Sequence, residues 1–84
     1  MITAAQLKAA RALAGLDQRS LATRSGLSVP TIQRMEASKG LVRGNVDSLT
    51  KLLGALDKAG IELINEGAAG GRGVRLKSTR ARRK

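Results

Sequence analysis

The stretch that decides the fold is LDQRSLATRSGLSVPTIQRMEASKG, residues 16–40. Asp17 can cap a first short helix, and Ser28 can cap a second one. Between them lies Gly26, which can take a left-handed backbone conformation that a residue with a Cβ adopts at some cost. The stretch therefore predicts two short helices joined by a tight turn.

Each of these two helices has one face that can be buried. The inward residues are expected to be Leu21, Ala22 and Ser25 in the first helix and Ile32 and Met35 in the second. A small residue in the first helix lets the second cross closely over it. The remaining face of the second helix is polar and is expected to be exposed.

Further helices are predicted on both sides of this pair. The first runs from about Thr3 to Ala14, with Thr3 as its cap and Gly15 at its end. After a loop over residues 37–44, a longer helix runs from Val46 to about Ala59, between a cap at Asn45 and a stop at Gly60. The inward residues are expected to be Leu7, Ala10 and Ala14 in the first helix and Val46, Leu49, Leu52, Leu53 and Leu56 in the longer one.

Two short runs of β-forming residues follow, IELI at 61–64 and GVRL at 73–76. The glycine-rich connection from Glu66 to Gly73 can reverse the chain, which predicts a β-hairpin. An isolated two-stranded hairpin is marginally stable in water, so a strand that pairs with its copy in a second subunit is the alternative. The sequence leaves both arrangements open.

The charge of the chain is high and uneven. Its 84 residues contain 16 basic and 6 acidic side chains, a net charge of +10, and residues 67–84 contribute +7 of it. This balance predicts a polyanionic partner. The last residues, KSTRARRK, are expected to be disordered when unbound.

Several classes of function are disfavoured by composition. Because the chain has no cysteine and no histidine, we expect no metal site, no cofactor and no enzymatic activity. The absence of aromatic residues favours duplex over single-stranded nucleic acid, since bases cannot stack on Phe, Tyr or Trp. No apolar run approaches the ~20 residues of a membrane span, and we expect a cytoplasmic protein without a membrane partner.

The order of Gln18, Leu21, Ala22, Gly26, Leu27, Ile32, Met35 and Glu36 resembles the Cro/repressor-type helix-turn-helix proteins, the XRE family. With its flanking helices, the resemblance covers roughly residues 5–59. It implies a mainly α fold, a four- or five-helix repressor-like domain over 1–60. The residues beyond it predict a β-hairpin or dimerisation strand over 61–77 and a disordered basic tail over 78–84. The resemblance also implies double-stranded DNA as the partner, bound by a homodimer.

The resemblance assigns roles to individual side chains. Residues that would face the bases of the major groove are Val29, Pro30, Thr31, Gln33 and Arg34, and a phosphate contact is the alternative for Arg34. Residues that would contact phosphates are Gln18, Arg11, Ser28, Lys39 and Arg43. Arg11 is also expected to form a structural ion pair with Glu36. Apart from the resemblance, the positive charge of the tail predicts that Arg80, Arg82 and Arg83 form an arm along the DNA, with a merely solubilising tail as the alternative.

Three functions fit this sequence. The first is a small transcriptional regulator, a repressor, that reads the major groove with the helix from about Ser28 to Ala37. The second is an antitoxin that binds a toxin, or another regulatory protein, through its C-terminal part and represses its own operon. The third is a nucleic-acid-binding protein that uses charge without reading sequence, which an organised recognition helix argues against.

Overall fold

A computed structural model describes residues 2–77 and shows a mainly α fold with a C-terminal β-hairpin, as predicted. Of the four or five helices expected, four are present within residues 2–77. The elements are α1 (Ala4–Ala14), α2 (Gln18–Ser25), α3 (Val29–Glu36), α4 (Val46–Lys58), β1 (Ile61–Ile64) and β2 (Gly73–Leu76).

Local hydrogen bonds set where each helix begins. The side-chain oxygens of the four predicted caps accept a hydrogen bond from the backbone amide three residues later, namely Thr3, Asp17, Ser28 and Asn45. Gly15 and Gly26 follow α1 and α2 with φ of 73° and 76°, a left-handed conformation that costs glycine little. The predicted starts of all four helices are therefore confirmed.

The core is one cluster between the four helices and the hairpin. Its large, fully buried side chains are Ile2, Leu7, Leu21, Ile32, Met35, Leu52 and Leu56. The inward positions predicted for α2 and α3 are confirmed, since Leu21, Ala22, Ser25, Ile32 and Met35 are all buried.

One core prediction was wrong. Val46 was placed in the inward stripe of α4, but it is 80% exposed. Successive helical residues are rotated by about 100° around the helix axis. Val46 therefore lies beside Leu53 at one edge of the apolar stripe of α4. The core contacts the opposite edge of the stripe, where Ala55 is buried.

The loop after α3 is tied to the N-terminal residues, which the sequence did not indicate. The amide of Ala4 donates to the carbonyl of Gly40, and the amide of Val42 donates to the carbonyl of Ile2, both at 2.9 Å. Ile2 and Val42 are 0% and 4% exposed. This contact closes the core beneath the loop.

The two strands pair within one chain, in an antiparallel register that sets Ile61 opposite Leu76 and Ile64 opposite Gly73. The hairpin packs against α1 and α4. Gln6 joins it to α1, because its Nε2 atom donates to the carbonyls of Ile64 and Gly73 at 3.1 and 3.0 Å while its Oε1 accepts from the amide of Thr3. This glutamine is 4% exposed.

The predicted basic tail, residues 78–84, lies outside the described residues, and so do the arm residues Arg80, Arg82 and Arg83. Within residues 2–77, the helices are too short and too polar for any of them to span a membrane.

Candidate nucleic-acid interface

Helix α3 divides into a buried and an exposed side. Ile32, Met35 and Glu36 are buried, whereas Gln33 and Arg34 are exposed. Pro30, in the first turn, is also exposed, and its missing amide hydrogen costs nothing there because the first amides of a helix have no intrahelical acceptor. The outer surface of α3 is thus polar and cationic, and no element within residues 2–77 covers it.

The remaining two residues expected at the bases are less exposed. Val29 and Thr31 are half-buried, and Val29 packs in part against the core. Thr31 accepts a hydrogen bond from the guanidinium of Arg34 at 3.3 Å, and its hydroxyl lies 2.9 Å from that of Ser28. These bonds hold Arg34 along the outer face of the helix.

Beneath this face, Glu36 accepts three hydrogen bonds from the side chains around it. Arg11 donates from Nε at 2.7 Å and from its terminal nitrogen at 3.1 Å, and Gln18 donates from Nε2 at 3.0 Å. Gln33 in turn donates to Oε1 of Gln18 at 3.5 Å. A polar chain therefore connects α1 to the exposed face of α3 through the first residue of α2.

The hydrogen bonds between Arg11, Gln18 and Glu36 favour the charged forms of Arg11 and Glu36. Burial raises the pKa of Glu36, but hydrogen bonds from Arg11 and Gln18 and the charge of Arg11 outweigh it, so the pKa lies below its ordinary value. The hydrogen bond with Glu36 acts on Arg11 in the opposite direction, and it raises the pKa of its guanidinium above the ordinary value. Arg11 also donates to the carbonyl of Leu16 at 3.3 Å. Its guanidinium is thus committed to joining α1, the following turn and α3.

A cleft opens beside α3, where the loop meets the start of α4. It has a volume of about 280 Å³, and its lining includes the side chains of Arg34, Arg43, Asn45 and Ser48. The two arginines come from different elements and meet only in the fold. Asn45 and Ser48 line this cleft and were not among the predicted site residues, although an asparagine cap directly after a basic loop was a signal for them.

Two other phosphate candidates lie in different surroundings. Lys39 is exposed in the loop that follows α3. Gln18 opens α2, where the carboxylate of Asp17 already accepts the amide of Ser20 at 2.7 Å, and this hydrogen bond lowers the pKa of Asp17. A carboxylate at this helix terminus offsets part of the positive dipole, and the side chain of Gln18 is hydrogen-bonded to Glu36 and Gln33.

Among residues 2–77, no group of three or more His, Cys, Asp or Glu side chains could hold a metal ion. A capped two-helix unit, an uncovered polar helix and an adjoining basic cleft define the structural class of helix-turn-helix DNA-binding domains. The sequence matches the family described as "Helix-turn-helix domain" over residues 3–63, and the chain belongs to that family. No curated protein sequence matches it. The family match ends within β1, so β2 lies beyond it.

Proposed function

We propose that this protein is a sequence-specific regulator of transcription, a repressor of the Cro/XRE type, that reads the major groove of duplex DNA with α3. The observation that carries the proposal is the division of α3 into a face fixed in the core and an outer face that presents Gln33 and Arg34. A helix held in this way can enter a groove as a rigid body. The protein would act as a DNA-binding factor without cofactor or catalysis.

In this proposal Arg34 reads bases. A guanidinium can donate two hydrogen bonds to guanine, and an amide such as that of Gln33 can pair with adenine. Thr31 and the polar chain that ends at Gln33 limit the number of orientations these two side chains adopt, so less entropy is lost on binding. Pro30 and Val29 offer apolar surface to a thymine methyl. Val29 offers less of it than Pro30 because its side chain is half-buried.

The basic cleft would hold the DNA backbone next to the bases that α3 reads. Arg43 and Ser48 can donate to a phosphate from one side, and Lys39 adds charge in the same loop. Such contacts position α3 and do not depend on base sequence. Arg34 also lines the cleft, so the base-reading and phosphate-binding surfaces are continuous.

A single domain of this size buries too little surface for tight specific binding. We therefore propose that two copies bind a two-fold symmetric operator in the cytoplasm, where the two α3 helices enter successive turns of the major groove.

The proposal is tested by selecting duplexes from a random library with the full chain, then comparing the selected sequence with scrambled DNA by fluorescence anisotropy at several salt concentrations. Arg34→Ala should reduce the preference for the selected sequence about tenfold or more, as expected for a bidentate contact of ~1–3 kcal/mol. Arg43→Ala should weaken binding to both DNAs equally and lower the salt dependence.

Arg75→Ala is the matched control. It removes the same charge as the other two variants, but from an exposed side chain of the hairpin. It should leave the preference unchanged. Equal binding of wild-type protein to selected and scrambled DNA, with no difference between the arginine variants, would show a charge-driven binder and overturn the proposal.

A further inference from the structure

The polar chain beneath α3 has a fixed direction, which begins at Glu36. The pKa of Glu36 lies below its ordinary value, so this side chain is a carboxylate at neutral pH and can only accept hydrogen bonds. The amide nitrogen of Gln18, which lies 3.0 Å from Oε1 of Glu36, therefore faces the carboxylate. The reversed amide would set an oxygen against a negative charge.

This direction passes from Gln18 to Gln33. With its nitrogen at Glu36, Gln18 presents its oxygen to α3, and Nε2 of Gln33 lies 3.5 Å from that oxygen. The hydrogen bond is long, but a reversed Gln33 amide would set two carbonyl oxygens against each other. Gln33 therefore directs its nitrogen toward α2 and its oxygen away from α2, at an exposed position of α3.

The groups that set this direction are held in the fold. Both carboxylate oxygens of Glu36 accept hydrogen bonds from Arg11, at 2.7 and 3.1 Å, and the side chain of Glu36 is 7% exposed. Gln18 is half-buried between this ion pair and α3. The orientation of the Gln33 amide is thus decided by contacts among three helices and not by Gln33 itself.

We propose that Gln18 is a positioning residue for base recognition, and that through it Gln33 selects bases with an amino group in the major groove. The proposal rests on the proposed function, in which α3 enters that groove. Adenine and cytosine present an amino donor there, whereas guanine and thymine present a keto oxygen. An outward amide oxygen accepts a hydrogen bond from the amino group and is repelled by the keto oxygen.

Adenine is the preferred base of the two. Nε2 of Gln33 carries two hydrogens, and Gln18 accepts only one of them. The second hydrogen can donate to N7 of adenine while the oxygen of Gln33 accepts from its amino group. Cytosine offers the amino group alone, so the expected order is adenine, then cytosine, then guanine and thymine.

This role differs from the phosphate contact that the sequence assigned to Gln18. A phosphate contact contributes equally to binding of all sequences. A positioning residue instead changes the preference at one base pair, because the amide of Gln33 turns over freely without it and can then donate to a keto oxygen. The two roles therefore give different results for the same variant.

The test is Gln18→Met, which keeps the length of the side chain and removes both hydrogen bonds. Thr23→Met is the matched control, at an exposed position of the same helix. Duplexes are first selected from a random library with the full chain, and Gln33→Ala identifies the base pair that Gln33 reads. Fluorescence anisotropy then compares four duplexes that differ only at that base pair.

Wild type and Thr23→Met should favour adenine over guanine and thymine about tenfold or more, the range expected of a good base contact. Gln18→Met should reduce this preference to about twofold or less, with unchanged affinity for scrambled DNA. The preference that depends on Arg34 should persist in Gln18→Met, which shows that α3 is still in place. Gln18→Met combined with Gln33→Ala should lose no more than Gln33→Ala alone, since both remove one contact.

Equal weakening of all duplexes by Gln18→Met would show a phosphate contact and overturn the proposal. Loss of the Arg34-dependent preference in the same variant would show a merely structural role and overturn it as well, and so would a wild-type preference for a keto base. A wild-type protein that prefers no sequence would overturn the proposed function and this inference together. Preference at the Arg34-dependent base pair, with none that depends on Gln33, would overturn this inference alone.

Discussion

Two arginine–glutamate pairs in this molecule have nearly the same geometry and very different surroundings. Arg11 donates to Glu36 at 2.7 and 3.1 Å, and Arg75 donates to Glu62 at 3.0 and 3.2 Å. The side chains of the first pair are 23% and 7% exposed, and those of the second are 64% and 45% exposed. Burial distinguishes the two pairs, since the hydrogen-bond geometry does not.

The first pair joins α1 to α3, elements that meet only in the folded chain, whereas the second joins neighbouring strands of one hairpin. Water and salt weaken an exposed pair, so its net contribution is small. In a buried pair, loss of one partner leaves the other charge without compensation. The comparison therefore predicts that equal geometry will give unequal effects on stability.

The largest expected effect is that of Glu36→Gln, which keeps the shape of the side chain and removes its charge. Arg11 would then be left poorly compensated, and the free energy of unfolding should fall by ~2–3 kcal/mol, less than for a fully buried pair because Arg11 is partly exposed. Urea unfolding measures this change. A loss below ~0.5 kcal/mol would show that burial does not strengthen this pair.

Acid should remove the same stabilisation. The pKa of Glu36 lies below its ordinary value in the folded chain, so its contribution is present at neutral pH and is lost as pH falls below the ordinary glutamate pKa of about 4.3. Urea unfolding at a series of pH values should show wild type and Glu36→Gln converging at acid pH. A stability difference that stayed constant down to pH ~2.5 would contradict this assignment.

An intermediate effect is expected for Gln6→Leu, which removes the buried amide that joins α1 to the hairpin. The loss should be ~1–2 kcal/mol, because the two strand carbonyls keep their ladder bonds while the amide of Thr3 loses its acceptor. Gln33→Leu is the matched control, at an exposed position. Thermal unfolding of both variants measures the difference. Equal midpoints would show that the hydrogen bonds from Gln6 to the hairpin contribute nothing to stability.

The smallest effect is expected for Glu62→Gln in the hairpin. The hydrogen bond from Arg75 lowers the pKa of Glu62, yet both side chains are largely exposed and the attraction is screened. The thermal midpoint at physiological salt should match that of wild type, with a small decrease at low salt. If this variant lost as much stability as Glu36→Gln, the comparison of the two pairs would fail.

Much of the candidate site was predictable from residues 16–40, because helix periodicity alone sets Gln33 and Arg34 on the face opposite Ile32 and Met35. Their roles at the bases remain predictions. The cleft that joins Arg34 to Ser48 was not predictable, since it depends on where the start of α4 packs. The hydrogen bonds of Gln18 to both Glu36 and Gln33 likewise depend on how α1, α2 and α3 meet.

The sequence by itself determined the helix starts and the glycine turns, because capping and turn hydrogen bonds join residues that are close together in the chain. It also indicated the two strands, through their β-forming residues and the glycine-rich connection between them. The tertiary structure decided which edge of α4 is buried and left Val46 exposed. It also buried Ile2 with Val42 and directed Gln6 to the hairpin. These features depend on packing between distant segments, and a local pattern does not encode the direction from which a neighbour approaches.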